Sequence, residues 1–145
     1  MSSGVKILFK TCDPSSPTDE TMWAECVGPD RYELNNSPFF AYGVSWKDVV
    51  LAPHNASEGF RVFQRVDKKS GNRTVRILFP DEGCAAAHLE HLVSMGCSYE
   101  GANKRFFAIN LPPQVDLDEV CDYLTNIEVH WEYVDPTYAD LFPEP

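Results

Sequence analysis

Residues 20–52, ETMWAECVGPDRYELNNSPFFAYGVSWKDVVLA, constrain the fold more than any other stretch of the chain. They hold two of the three tryptophans, Trp23 and Trp46, and two apolar runs on either side of a turn-rich centre. Between 21 and 27, Met22, Ala24 and Cys26 alternate with Trp23, Glu25 and Val27, the period of a half-buried strand. Gly28-Pro29-Asp30 turns the chain into a strand at 32–34, and Asn35-Asn36-Ser37-Pro38 ends it, because Pro38 holds Ser37 extended and Asn tolerates positive φ. Residues 39–42 read as an aromatic strand or bend, 43–47 as a turn, and 48–52 as a buried strand. Asp48 sits where a turn enters an apolar strand, a position that suits a side-chain cap better than a catalytic acid.

This pattern, with a short strand at 5–10 and a Pro/Ser-rich loop at 12–19, predicts a small β-barrel-like unit over residues 1–68. Residues 60–66 and 73–79 read as two strands of a hairpin closed by DKKSGN, carrying Arg61, Arg65, Arg73 and Arg76 as a basic arm shared with the C-terminal half. From residue 73 the pattern gives strand, helix at 83–95 stopped by Gly96, strand at 98–100, strand at 106–111, helix capped by Asp116, and strand at 129–133. That βαββαβ order predicts a ferredoxin-like unit over residues 69–135, and 136–145 reads as an acidic, Pro-flanked tail. The expected class is α+β.

Charge narrows the functions. The chain carries a net −10 over 145 residues, but residues 61–76 hold six basic side chains against one acidic, while residues 106–145 hold nine acidic and no Lys or Arg. Nucleic-acid affinity comes mainly from neutralised phosphates, so an acidic chain of this kind is not expected to bind nucleic acid. No apolar run approaches the ~20 residues of a membrane span, and the first residues lack the apolar core of a signal peptide. Five cysteines without a C-x-x-C pair predict reduced thiols and a cytoplasmic location.

The strings ETMWAE, YELNNSPFFAYGVSWKDVV and SGNRTVR resemble the pattern E-T-x-W-A-E, Y-x-L-x-N-x-P-F-F-A-Y-G-V-S-x-x-D-V-V and S-G-N-x-T-x-R of an uncharacterised family of small bacterial proteins known as a domain of unknown function. The resemblance spans residues 5–135 and implies a bacterial cytosolic protein. It implies no activity.

Local motifs assign no catalytic residues: Glu20 and Glu25 face opposite sides of one strand, and neither His54 nor His130 lies in a hydrolase or metalloprotease pattern. Cys84, His88, His91 and Met95 fall within roughly 60° of one another on the first helix, a stripe soft enough for zinc or copper. It lacks a fourth ligand nearby, so neither metal nor cofactor is expected. The function that fits best is a protein-binding module of the immunity or antitoxin type. Its Asp116, Asp118, Glu119, Asp122, Glu128 and Glu132 would steer and occlude a basic toxin or effector. The competing expectation is a small-ligand sensor or enzyme with a pocket between the halves at Trp23, Phe39, Phe40, Tyr42 and Arg73.

Overall fold

A computed structural model describes residues 4–10 and 19–144. The Pro/Ser loop expected at 12–19, apart from Asp19, lies outside them, as does Cys12. The protein is α+β, built from a curled seven-stranded half-barrel sheet and a second sheet of four strands. The first sheet contains β1 (Val5–Phe9), β2 (Glu20–Gly28), β3 (Arg31–Leu34), β4 (Val49–Leu51), β5 (His54–Asn55), β6 (Phe60–Val62) and β7 (Arg65–Lys68). Its order is β5-β6-β1-β2-β3-β4-β7. The expected alternation holds in β2 as far as Glu25: Met22 and Ala24 enter a core with Ile7, Phe9, Tyr32, Leu34 and Val50, while Trp23 and Glu25 face out; Cys26, expected on the inner side, is exposed, beside a register shift in the pairing with β3. Asp30, at φ 55°, makes the tight turn into β3, a backbone region that Asp enters more readily than most residues.

The arginine hairpin does not form. The stretch 60–66 breaks in the middle: β6 runs parallel to β1, whereas β7 pairs with β4 on the far edge of the sheet. The Phe63 and Gln64 N–H groups donate to Leu8 O and Leu51 O at 2.9 Å each, so the chain crosses between β1 and β4 at that point. Strand 73–78 then leaves for the other sheet. A local hairpin pattern lost to pairing with strands more distant in sequence.

The second sheet, order β11-β8-β10-β9, is built from β8 (Arg73–Leu78), β9 (Ser98–Gly101), β10 (Phe106–Leu111) and β11 (His130–Asp135), each antiparallel to its neighbours. A 3-10 turn at Glu82–Cys84 leads into α1 (Ala85–Ser94), and Asp116 caps α2 (Leu117–Asn126) by accepting the Glu119 N–H at 3.2 Å. Gly96 ends α1 at φ 108°, and a Cβ there would lie 2.8 Å from Val115 Cγ2, so glycine is needed for both backbone and space. Leu89 and Leu92 of α1 and Val120 and Leu124 of α2 share one core with Val75, Ile77, Phe107 and Ile109, so both helices cover the same sheet face. His88 Nδ1, 2.7 Å from Tyr123 Oη, ties the helices together. None of the described helices is long and apolar enough to cross a membrane.

Residues 136–144 are not a bare tail. Thr137 caps a short helix, α3 (Tyr138–Leu141), through a reciprocal pair with Asp140 at 3.1 and 3.0 Å. The Tyr138 and Phe142 rings lie 6.3 and 6.0 Å from that of Tyr133 on β11.

The uncovered face of the second sheet meets the first through the loop 35–47. From the first sheet, the buried Glu20 carboxylate accepts the N–H groups of Phe39, Phe40 and Ala41 at 2.6, 3.1 and 2.9 Å. From the second, Glu100 on β9 accepts Asn36 Nδ2 at 3.1 Å and the Ser37 N–H. Three consecutive donors on one carboxylate are charge-assisted bonds, and removing the acceptor strands all three. Glu20→Ala should therefore lose about 3 kcal/mol of unfolding free energy in urea; a loss below about 1 kcal/mol would show that the loop does not depend on this carboxylate.

Candidate functional site

The strand alternation that buries Val75 and Ile77 under the helices turns Thr74 and Arg76 the other way, into the seam between the sheets. Arg76 is 2% exposed. Its guanidinium pairs with Glu132 Oε1 through Nε at 2.9 Å, donates to Ala41 O at 2.9 Å, and lies 4.5 Å from the Tyr42 ring centroid. Tyr42 Oη donates to the other Glu132 oxygen at 2.7 Å, which closes the triad. Burial, followed by the Glu132 hydrogen bond and charge, raises the Tyr42 pKa above the ordinary phenol value. A buried guanidinium is tolerated because a carboxylate, a carbonyl and an aromatic face replace its water.

A second polar cluster lies further along the seam. Lys69 Nζ donates to Asp48 Oδ2 at 2.6 Å and to Asp135 Oδ2, and Ser45 Oγ bridges Asp135 and Thr74 Oγ1 at 2.6 and 2.7 Å. Asp48 also accepts the Ser45 and Ser70 N–H groups at 2.8 Å each, so the expected turn cap is present and joins the two halves as well. With one oxygen of each carboxylate on the ammonium and their other bonds to backbone and hydroxyl donors, this cluster is built as a fastener. It has no free nucleophile.

The outer side of β11 presents a different surface. Asp118, Glu119 and Asp122 stand on the exposed side of α2, opposite buried Val120, Cys121 and Leu124. Among the described residues, none of these three, nor Asp116 or Glu128, forms an ion pair; each ion pair uses a carboxylate elsewhere. Tyr133 connects this acidic side to an aromatic ridge. Its hydroxyl is pushed up to about 12 by burial first, then by Cys121 and the charges of Asp118 and Asp122. The ridge continues into Tyr138, 64% exposed, and Phe142, 52% exposed. Tyr42, Trp131, Tyr133 and Tyr138 line an open cleft of about 810 Å³ along it.

The sequence-derived sets are split by this arrangement. Glu132 is exposed at its edge but belongs to the Arg76 triad on the seam face, away from α2, and Asp116 is engaged as a helix cap. In the expected pocket, Phe39 and Phe40 pack on Phe106 at 6.0 Å and Tyr42 on Arg76. Trp23 points outward beneath Lys6, and Arg73 faces the helix side, donating to Pro112 O at 2.9 Å and to Val115 O. Arg76 occupies the place assigned to Arg73; its position between two apolar residues of a buried strand was the signal.

The basic arm is dispersed: Arg61 pairs with Asp30 at 2.8 Å, Arg65 with Asp67 at 3.2 Å, and Lys69 and Arg76 lie in the seam. In the soft-ligand stripe, His88 bonds Tyr123, His91 stacks on the same ring at 4.2 Å, and Met95 packs against the core. Among the described residues no three His, Cys, Asp or Glu side chains gather as a metal site. The described cysteines Cys26, Cys84, Cys97 and Cys121 are free thiols. Burial pushes Cys97 and Cys121 up to about 11, which keeps them protonated near neutrality.

A family model described as "Domain of unknown function (DUF4265)" matches residues 20–133, most of the chain, and the protein belongs to that family. No curated protein matches it. The fold is similar to a crystal structure of a hypothetical protein from Neisseria gonorrhoeae, at a TM-score of 0.77 and 17% identity, covering 95% of this chain and 97% of that one. That likeness establishes the fold and nothing of the activity.

Burial alone would lower the Lys69 pKa, but its hydrogen bonds and charge attraction to Asp135 and Asp48 outweigh it, so the pKa is raised above 10.5 in the folded protein. The stabilisation is therefore complete below the unfolded value and lost as pH rises through the folded one. Unfolding free energy measured in urea from pH 9 to 11.5 should fall with rising pH, and Lys69→Met should flatten that part of the profile. An unchanged slope in the variant would remove Lys69 as its source.

Proposed function

We propose that this member of the family is an acidic protein-binding module, of the immunity or antitoxin type, that occludes a basic effector protein. The observation that carries the reading is the α2 surface: carboxylates with no cation partner among the described residues, set beside an exposed aromatic ridge. Within the chain, Arg31, Lys47, Arg61, Lys69 and Arg76 are all engaged with carboxylates away from that helix. The α2 carboxylates themselves have no ion-pair partner among the described residues, and a negative surface of this kind steers a positive partner and raises its on-rate. Aromatic side chains at the centre with charges around them is the anatomy of an energetic anchor inside a polar rim.

On the same reading, residues 69–135 are a ferredoxin-like unit and 1–68 a barrel-like one. Support comes from the element order β8-α1-β9-β10-α2-β11, from two helices on one face, and from β7 ending at Lys68 before β8 begins at Arg73.

The test begins with the partner recovered from the native host by pull-down and then purified. Asp118→Asn, Glu119→Gln and Asp122→Asn together should slow its association about tenfold and flatten the salt dependence, with the fold intact. Tyr138→Ala with Phe142→Ala should act chiefly on dissociation. Association indifferent to both salt and the amide substitutions would overturn the acidic-face mechanism.

A further inference from the structure

We infer, resting on the protein-binding reading above, that the open cleft along β11 receives an arginine side chain of the partner. Its guanidinium lies against the aromatic lining with N–H groups on Glu132. β11 ends its sheet, with β8 on one side and no described strand on the other, so the cleft opens along a free strand edge. Trp131, Glu132 and Tyr133 of that strand line it, together with Tyr42 from the loop and Thr137 and Tyr138 from the C-terminal segment.

The groups that would hold the ligand are open to it. Tyr42 and Tyr138 are each more than half exposed, and the Glu132 side chain is 46% exposed. Glu132 accepts Arg76 Nε on one oxygen and Tyr42 Oη on the other. An ionised carboxylate has about four lone-pair sites, so each oxygen keeps one for an incoming donor. The rings stand at steep angles: Trp131 lies 4.8 Å and 72° from Tyr133, which lies 6.3 Å and 46° from Tyr138. Faces turned in several directions let a flat cation rest on one ring while its rim points at the carboxylate.

Charge selects a cation. Arg76 and Lys69, the positive groups whose charge reaches Tyr42 and Asp140, are themselves held by Glu132, Asp48 and Asp135. Asp140 in α3 is left over, as are Asp118 and Asp122, whose charges act on the Tyr133 hydroxyl. The shape selects arginine over lysine. An ammonium is a compact, strongly hydrated point charge, whereas a guanidinium is planar, weakly hydrated and stacks on rings. The cleft, at about 810 Å³, also has room for the peptide on either side of that residue.

The test titrates the full chain with Nα-acetyl-arginine methylamide and follows the Trp131 indole and Ala139 amide resonances by NMR. The citrulline analogue keeps the shape without the charge, and the lysine analogue keeps the charge without the plane. The arginine probe should shift both resonances saturably and bind at least about threefold tighter than the lysine probe, with no saturable shift from citrulline. Tyr138→Leu keeps apolar bulk on Tyr133 but removes the ring, and should weaken the arginine probe and speed the partner's dissociation about threefold with Tm unchanged. Glu132→Gln should weaken the probe about tenfold. No saturable shift, equal responses to arginine and citrulline or to arginine and lysine, or wild-type probe affinity in folded Tyr138→Leu would overturn the inference. A partner that still associates with steep salt dependence would then leave the protein-binding reading standing without the arginine cleft. Saturable arginine binding beside salt-indifferent association would instead remove the acidic-face mechanism and keep the cleft.

Discussion

The aromatic part of the loop between the two sheets is held by one buried carboxylate. Glu20 points inward from β2 and gathers three consecutive N–H groups of the loop that joins the sheets. Without that acceptor three consecutive backbone donors of the loop lose their partner, since none of them belongs to a strand ladder. The loop's carbonyl side is held from the opposite sheet by Arg76, so the same few residues are gripped by an anion below and a cation above. A carboxylate facing amides and a guanidinium facing carbonyls is an electrostatically matched sandwich, and it orients one sheet on the other. Gly43 N–H, donating to Val134 O at 2.8 Å, carries that alignment to β11.

The strings singled out in the sequence gain a physical meaning from this arrangement. Glu20, Asn36, Phe39 to Tyr42, Ser45 and Asp48 fall within them, and each closes the seam. Asn36 Oδ1 accepts the Trp23 N–H at 2.7 Å while its amide reaches Glu100, and Ser45 and Asp48 share the cluster with Lys69 and Thr74. Charge follows the same logic. Arg76 and Lys69 reach Glu132 and Asp135 of the acidic C-terminal segment, while Arg31, Lys47 and Arg61 pair with Asp67, Glu33 and Asp30. The carboxylates of α2 are left without an ion pair among the described residues.

Much of the architecture was legible in the sequence because it rests on short-range periodicity. The alternation in β2, the Asp116 cap, the Gly96 stop and the strand–helix order after residue 73 all follow from residues a few positions apart. The arginine hairpin fails for the opposite reason: Phe63 and Gln64 bond to Leu8 and Leu51, and no local signal separates a strand that turns back from one that crosses a sheet. The seam was hidden likewise. Arg76 resembles any basic residue until Ile77 and Val75 are seen to face the helices, and Glu100 matters only through a strand that brings it beside a loop some sixty residues earlier. The acidic surface was visible as composition, yet its division between α2 and the Arg76 triad depends on which face of β11 Glu132 occupies.

The account rests on Glu20 and Arg76 acting on one loop from two sheets, and a double-mutant cycle measures that dependence directly. Glu20→Gln, Arg76→Met and the double variant should be compared by urea unfolding under identical conditions. Two residues from separate sheets that merely stabilise their own neighbourhoods give additive losses, within about 0.3–0.5 kcal/mol. Two that grip a shared loop are coupled, because once either hold is released the other has less to lose. The predicted result is a double variant less destabilised than the sum of the singles by about 1 kcal/mol or more; additivity within error would contradict the seam as the element that joins the halves.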